Sequence, residues 1–487
     1  MSSKFKRQFC SLLFIITIIS FCPETLALSL DSAQVKISQD DFNIVLITID
    51  TLRADHLSCY GYERKTSPNI DSIAKEGIRF TNALATSSWT SPSMASIMTS
   101  LYPISHGVRH GFTKSGKAYN QELLHEKFDT LAEVLKNHGY TTFGAVANVH
   151  MVEELGFGQG FDYYHCEGFD KASKINNIVF SWKDKIKNAN KIFLWVHYFD
   201  PHHFYNAQSP WINDYAGELW IGNTHLSKKS MKELKKLIPN FKQKKSTLEY
   251  LTALYDSEIS YADHHIGKLI YKLGLDKNSL IVITSDHGEE FLDHDSLCHA
   301  HSLYQELIHV PFIIKLPSSS KELVVDEPVS IIDIMPTILG VAGIVLLNEF
   351  KGENLLEQDK LSQQRDYLFS ELTKVRTLRT ILNNNWKYIY DYKTRKEALY
   401  NITEDPGELV NLVHQEASIA KELKEELINW VSTSPKGPSI KMQVKPSKDI
   451  EEKLKAMGYI SNGEQEELKP PPKDCTSCKP TSYKNQE

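Results

Sequence analysis

Four segments of the chain place carboxylate, imidazole and hydroxyl side chains directly after apolar runs. Carboxylates and imidazoles at the ends of buried strands are costly unless they bind a metal ion or pair with opposite charges. One such segment alone is weak evidence, because an aspartate after a strand is more often a cap. All four in one chain indicate a reactive site. The segments are I-D-T-L-R-A-D (Ile49–Asp55), S-S-W-T-S-P-S-M-A-S (Ser87–Ser96), H-Y-F-D-P-H-H (His197–His203), and T-S-D-H-G-E (Thr284–Glu289) with the following His294, His299 and His301.

The elements that must position these segments alternate between strands and helices. This alternation predicts an α/β fold with a large, mostly parallel sheet sandwiched by helices. In such sheets sites gather at the carboxyl ends of the strands, where Asp50, Asp200 and Asp286 fall. The predicted strands are 43–49, 141–147, 192–198, 280–284 and 310–315, and the predicted helices are 68–76, 91–99, 130–137 and 247–273.

The ends of the chain differ from its centre. Lys4, Lys6 and Arg7 precede a short apolar run, so residues 1–28 are predicted to be a signal peptide of an exported, periplasmic or secreted protein. An uncleaved N-terminal membrane anchor is the alternative. Residues 41–345 are assigned to the catalytic domain and 346–432 to a C-terminal subdomain with a small antiparallel sheet. Residues 433–487 are rich in Lys, Glu and Pro and are expected to form a polar, loosely ordered tail.

Charge and cysteine usage exclude some classes of protein. The formal net charge of -6 over 487 residues gives no reason to expect nucleic-acid binding, which calls for a basic surface. Five cysteines follow the signal segment, an odd number that allows no complete disulfide framework. The C-x-x-C pair Cys475 and Cys478 forms a local disulfide or nothing, since one pair cannot complete a tetrahedral zinc site.

Several stretches resemble the sulfatase family of the alkaline phosphatase superfamily, which implies an alkaline-phosphatase-like fold. The opening V-L-I-T-I-D-T-L-R-A-D and T-S-P-S-M-A-S-I-M-T-S-L-Y-P look like that family's first motifs. F-L-W-V-H-Y-F-D-P-H and I-T-S-D-H-G-E-E-F continue the match, and W-K-Y-I-Y with D-P-G-E-L-V-N-L resembles its C-terminal signature.

The resemblance implies a role for each matching residue. Asp50, Asp286 and His287 would bind one divalent metal ion (Mn, Mg, Zn or Ca) together with Thr90, which would also be the nucleophile. His202 and either His299 or His301 would bind the anionic group or protonate the leaving oxygen. Arg53 would steady the nucleophile loop. Asn148 and His150 fall where many sulfatases have a Lys and a His that hold the transferred group.

Three departures from the family pattern bear on the chemistry. Sulfatases oxidise a Cys or Ser at the nucleophile position to an aldehyde (formylglycine), whereas oxidation of Thr90 would give a methyl ketone, so no formylglycine is expected. Met94 replaces the family's Arg, and Thr51 replaces the second Asp of its usual Asp-Asp pair. A threonine nucleophile resembles instead the phospho-transferring relatives, in which the hydroxyl attacks phosphorus directly. His287 and the missing carboxylate suit manganese, zinc or magnesium better than calcium.

The leading hypothesis is therefore a sulfatase-like hydrolase of sulfuric or phosphoric esters, with a phosphoester or phosphonate favoured over a sulfate ester. Its partner would be a small anionic ester, or a sulfated or phosphorylated glycan or lipid headgroup. Two alternatives remain open: a cell-envelope phosphotransferase of the phosphoglycerol or phosphoethanolamine type, and a catalytically inactive, anion-binding relative.

Overall fold

The computed structural model describes residues 41–457 except for 112, 116–117, 207, 218–232, 234–235, 237–244, 318–320, 346–348, 358–364, 375 and 446. The predicted signal segment and the Cys475–Cys478 pair lie outside the described residues. No helix within the described part of the chain is both long enough and apolar enough to cross a membrane.

The strands, numbered in chain order, form one large central sheet and three smaller ones. They are Asn43–Ile49 (β1), Ile78–Leu84 (β2), Thr113–Ser115 (β3), Ala118–Glu122 (β4), Thr141–Val146 (β5), Tyr163–His165 (β6), Ile192–Tyr198 (β7), Ser279–Ser285 (β8), Glu290–Phe291 (β9), Leu297–Cys298 (β10), His309–Lys315 (β11), Leu323–Val325 (β12), Val329–Ser330 (β13), Leu368–Thr373 (β14), Thr377–Asn383 (β15), Trp386–Asp391 (β16), Glu397–Asn401 (β17) and Lys441–Val444 (β18).

The α-helices lie between these strands and at the C-terminal end of the described chain. They are Pro68–Lys75 (α1), Thr90–Thr99 (α2), Pro103–His106 (α3), Leu131–Asn137 (α4), Ala172–Ser181 (α5), Lys183–Asn188 (α6), Trp211–Ala216 (α7), Lys245–Leu273 (α8), Gln305–Ile308 (α9), Ile334–Val341 (α10), Ala417–Thr433 (α11) and Lys448–Ala456 (α12).

The central sheet has the order β12-β2-β11-β8-β1-β7-β5-β6, with β13 also paired to β2. The pairs from β8 to β6 are parallel, whereas β11 is antiparallel to both of its neighbours. Alternate residues of β1 enter two separate apolar cores: Ile44 and Leu46 join one, and Val45 and Ile47 join the other. Because successive strand side chains point to opposite faces, both faces of the sheet are covered. The predicted fold class is confirmed.

A four-stranded antiparallel sheet, β14-β15-β16-β17, follows the catalytic region and packs against α11. Its first strand is hydrogen-bonded to the segment after β2: the Ser370 hydroxyl donates to the Ala85 carbonyl at 2.6 Å, and the Glu371 N–H donates to the Thr86 carbonyl at 2.8 Å. This small sheet therefore lies directly against the segment that leads to Thr90.

The segment expected to be a loosely ordered tail is structured over part of its length, so that expectation was wrong there. Strand β18 pairs antiparallel with β4, and α12 carries the fully buried Leu454. Leu454 packs with Tyr119 and Val149 of the catalytic region. Polar composition indicated disorder, but a few apolar residues at helical spacing are enough to dock a short helix onto an existing surface.

Candidate active site

The two central strands β1 and β8 bring two carboxylates side by side. They run parallel with Ile49 opposite Ser285, so the next residue on each chain, Asp50 and Asp286, emerges at the same edge. His287 follows directly, and its Nε2 lies 3.3 Å from Asp286 Oδ2 and 3.8 Å from Asp50 Oδ1. One ligand atom from each of the three residues falls within 4.8 Å of the others, and all three side chains are buried.

The state of these carboxylates fits a bound divalent cation. Asp50 Oδ1 and Asp286 Oδ2 are buried and have no hydrogen-bond partner in the described part of the protein. Burial and the neighbouring charge of Asp50 raise the pKa of Asp286. Burial also opposes ionisation of Asp50, but the imidazoles of His202 and His197 outweigh it and lower the pKa of that carboxyl. Two close, buried carboxylates with unused oxygens are stable only if a positive charge joins them.

Thr90 lies beside this group as the first residue of α2. Its Oγ1 is 3.4 Å from His287 Nε2, the nitrogen that also faces both carboxylates. Trp89 precedes it in extended conformation, and the Ser93 hydroxyl donates to the Ser87 carbonyl at 3.0 Å, which closes the turn. The positive end of the helix dipole at this position favours negative charge on or near the hydroxyl.

Two of the predicted histidines complete the site. The ring centroid of His299 lies 4.5 Å from that of His287 and 4.9 Å from that of His202. The Ala300 N–H donates to the Ser88 carbonyl at 3.0 Å and so holds the histidine-rich loop against the nucleophile loop. Burial lowers the pKa of His202 to about 4 and that of His299 well below its usual value.

His301 is the histidine that the structure does not add to this group. Its Nε2 contacts the Glu290 carboxylate, and its Nδ1 lies 3.2 Å from the His299 carbonyl oxygen. Sequence reasoning left His299 and His301 as equal candidates. The structure brings the His299 ring, and not that of His301, to His287 and His202.

Arg53 was expected to steady the segment that carries Thr90, and the structure shows its guanidinium bound to three other groups. Its guanidinium donates to the carboxylates of Asp55 and Asp293, at 2.7 and 2.9 Å for the shortest contacts, and to the Glu289 carbonyl at 3.0 Å. Arg53 therefore joins the loop after β1 to the loop that carries the histidines. Asp55 follows Arg53 closely in the sequence, and Asp293 follows His287. The two carboxylates meet at Arg53 because β1 and β8 are neighbouring strands of the sheet.

Asn148 and His150, expected to hold the transferred group, both lie close to the candidate site. The Asn148 Nδ2 donates to Asp50 Oδ2 at 2.7 Å, so this amide orients a carboxylate of the cation site. The His150 Nδ1 lies 3.2 Å from Gln121 Nε2, and its ring meets that of Trp89 edge-on at 5.5 Å. Burial lowers the pKa of His150 to about 3. The histidine thus lies next to the nucleophile turn as a neutral ring.

Two residues near the site had no predicted role. His197 on β7 places its Nε2 3.4 Å from Asp50 Oδ2, on the oxygen that Asn148 also contacts. Lys374 follows β14 and places its ammonium 5.0 Å from the centre of the Trp89 ring. The position of His197 in a strand next to β1 was a usable signal. No sequence signal pointed to Lys374, because nothing in the local sequence links it to Trp89.

The chain matches two family models. Residues 42–344 match the sulfatase model, and residues 296–433 match the model described as N-sulphoglucosamine sulphohydrolase, C-terminal. An arylsulfatase of Clostridium perfringens is 25% identical over 453 residues, which covers 77% of this chain and 90% of the relative.

Solved structures show that other proteins share this fold. A 2-O GAG sulfatase superposes with a TM-score of 0.66 at 20% identity, covering 81% of this chain and 92% of its own. The phosphonate monoester hydrolase of Agrobacterium radiobacter superposes with a TM-score of 0.64 at 19% identity, covering 80% of this chain and 95% of its own.

Proposed function

Since the chain belongs to the sulfatase family and is a sulfatase-like ester hydrolase, we propose that it cleaves phosphoric or sulfuric esters with unmodified Thr90 as nucleophile. The observation that carries this proposal is the 3.4 Å distance between Thr90 Oγ1 and His287 Nε2 within the Asp50, Asp286 and His287 group. That distance puts the Thr90 hydroxyl beside the residues that could hold a cation.

Asp50, Asp286 and His287 would hold the divalent cation, with Thr90 beside it. A cation there would bind the ester oxyanion and lower the pKa of the Thr90 hydroxyl, so that its proton is lost to water. Asn148 and His197 keep Asp50 Oδ2 occupied and so direct Oδ1 into the site. Hydrogen bonds from neighbouring residues to a metal ligand orient that ligand and strengthen cation binding.

The protein residues then carry out an in-line displacement. Thr90 Oγ1 forms a bond to the phosphorus or sulfur atom, and the bond to the leaving oxygen breaks with its electron pair. A protonated imidazole, His202 or His299, gives its proton to that oxygen. Water then attacks the esterified threonine, the neutral imidazole accepts a proton from that water, and Thr90 is released with the free acid.

A phosphoester or phosphonate is the substrate class that suits this nucleophile. A threonine side chain has a methyl group on Cβ, so it cannot give the aldehyde hydrate that sulfate-ester cleavage uses in the family. Direct attack through an alkoxide is the route left to it. A sulfate ester on a glycan is the second candidate, supported by the relatives that are named for arylsulfate and GAG sulfate cleavage.

Rates on matched aryl phosphate, phosphonate and sulfate esters, together with the intact mass of the protein, test both proposals. Thr90→Ala should remove roughly 10⁴-fold or more of the turnover while the fold survives. Thr90→Ser should retain measurable phosphoester cleavage, because the hydroxyl is kept. Efficient sulfate cleavage by a protein of unmodified mass would overturn the substrate preference, and full activity of Thr90→Ala would overturn the mechanism.

We also propose that the protein is exported to the periplasm or the medium, on the basis of the basic and apolar N-terminal segment. Cell fractionation with N-terminal sequencing tests this. A start near residue 28 supports cleavage, and recovery of the full-length chain from the membrane supports the anchor instead. Transfer of the phospho group to an added alcohol, rather than to water, would favour the phosphotransferase alternative.

A further inference from the structure

We propose that Lys374, on the hairpin between β14 and β15, is a substrate-binding residue that contacts the anionic group of the ester. The inference rests on the proposed function, because it assigns a positively charged, substrate-binding side chain to the same active site. The geometry behind it is the position of the Lys374 ammonium, 5.0 Å from the centre of the Trp89 ring, directly before the nucleophile Thr90.

The hairpin that carries Lys374 is attached at two points to the segment that leads to Thr90 and at a third point to Arg109. Ser370 and Glu371 of β14 donate to the Ala85 and Thr86 carbonyls. The Thr373 hydroxyl, one residue before Lys374, donates to the Arg109 carbonyl at 3.2 Å. These contacts fix the backbone of β14 up to Thr373. Lys374 is the next residue, so the strand holds it close to the turn that carries Thr90.

The packing around Trp89 leaves one face of the indole to Lys374. A Cβ built on Gly111 would lie 2.9 Å from Trp89 Cη2, so glycine allows the chain to approach the ring closely there. The edge of the ring meets His150. Trp89 is fully buried, whereas Lys374 is only partly buried.

A positive side chain near Thr90 would offset the negative charge of the two carboxylates in the candidate site. Asp50 and Asp286 are both buried carboxylates, and an ionised carboxylate has the same sign of charge as the ester anion. Burial, and after it the positive charge of Lys374, lower the pKa of His150, whose ring also meets that of Trp89.

Met94 and Asn148 stand at positions where sulfatases resembling this chain have a charged side chain. Met94 is apolar and buried, and Asn148 is uncharged and engaged with Asp50. An ester anion that approaches Thr90 therefore meets the Lys374 ammonium as a side-chain cation contributed by the C-terminal sheet. Such charge-assisted contacts are about twice as strong as neutral hydrogen bonds.

The test compares Lys374→Met and Lys374→Arg with wild type, using Lys393→Met in the exposed turn after β16 as the matched control. Affinity for inorganic phosphate and for inorganic sulfate is measured by calorimetry on the full-length protein loaded with Mg²⁺, and kcat and KM are measured on the best ester. Thermal unfolding of each variant reports on the fold.

For Lys374→Met we expect affinity for the better-bound anion and kcat/KM to fall roughly ten-fold or more, at an unchanged unfolding temperature. For Lys374→Arg, anion affinity and kcat/KM should stay within about three-fold of wild type. For Lys393→Met, both should match wild type. If Lys374 only packs on Trp89, methionine will replace it without loss, and unchanged anion affinity overturns the inference. Because anion binding is read without turnover, an inactive wild type would refute the proposed function and still leave Lys374 tested.

Discussion

A buried ion pair between two C-terminal motifs should be one of the most sensitive points of the fold. Lys387 belongs to W-K-Y-I-Y on β16, and Glu408 belongs to D-P-G-E-L-V-N-L. Both side chains are fully buried, and Lys387 Nζ lies 2.8 Å from Glu408 Oε1. The other carboxylate oxygen of Glu408 accepts the Gln305 N–H at 2.6 Å, so the pair also anchors the end of the histidine-rich loop.

Replacing one partner leaves the other charge buried and unpaired, which costs about 3–5 kcal/mol. We therefore expect Lys387→Met to lower the free energy of unfolding by about that amount. The double variant Lys387→Met/Glu408→Gln removes both charges and should recover most of the loss. Burial lowers the pKa of Lys387 and raises that of Glu408, which is consistent with a pair that is stable only when both members are present.

Urea-induced unfolding, followed by fluorescence and by circular dichroism, measures these differences. The matched control is Lys421→Met on α11, whose partner Glu425 is 3.9 Å away and whose side chain is 78% exposed. An exposed pair contributes about 0–1 kcal/mol, so this variant should unfold close to wild type. Equal losses for Lys387→Met and Lys421→Met, or a double variant as unstable as the sum of its single changes, would refute the reasoning.

Three further changes test separate parts of the structure. Asn148→Ala should lower divalent-cation affinity roughly 10- to 100-fold, measured by metal titration of the purified protein, because Asp50 loses the amide that orients it. Burial opposes ionisation of Glu122, but the hydrogen bond with His110 and other contacts outweigh it and lower its pKa from 4.5 to about 2. The stability that Glu122 contributes is therefore present above pH 4.5 and lost towards pH 2, and the deficit of Glu122→Gln in urea should shrink over that range. Leu454→Ala should cost about 2–5 kcal/mol of unfolding free energy, because the side chain is fully buried; a loss near zero would mean that α12 is not docked in solution.

The sequence was informative wherever a pattern is local. Continuous apolar runs predicted β1, β5, β7, β8 and β11 to within about a residue or two, because a strand buried on both faces must be apolar throughout. The sequence pattern did not predict β2, because Ile78–Leu84 mixes polar and apolar residues. The antiparallel direction of β11 was also absent from the pattern, because apolar periodicity does not encode strand direction.

The candidate cation site was accessible from sequence for the same reason. Parallel neighbouring strands end at one edge of a sheet, so Asp50, Asp286 and His287 had to meet once their strands were paired. Thr90 was proposed as the nucleophile because its segment resembles a family motif, and its distance of 3.4 Å from His287 came from the structure.

Other assignments required the tertiary structure. Asn148 contacts Asp50, Arg53 joins two loops, and His299 rather than His301 meets His287. Lys374 reaches Trp89 across 285 residues only because β14 is hydrogen-bonded to the segment after β2. Periodicity reports which face of an element is buried, whereas the partner of a polar side chain depends on where distant segments of the chain are brought together. The sequence by itself thus determined the buried strands of the central sheet and the candidate site residues, because both follow from local patterns. Only the packed fold decided which of those residues contact one another, because these contacts join segments that are distant along the chain.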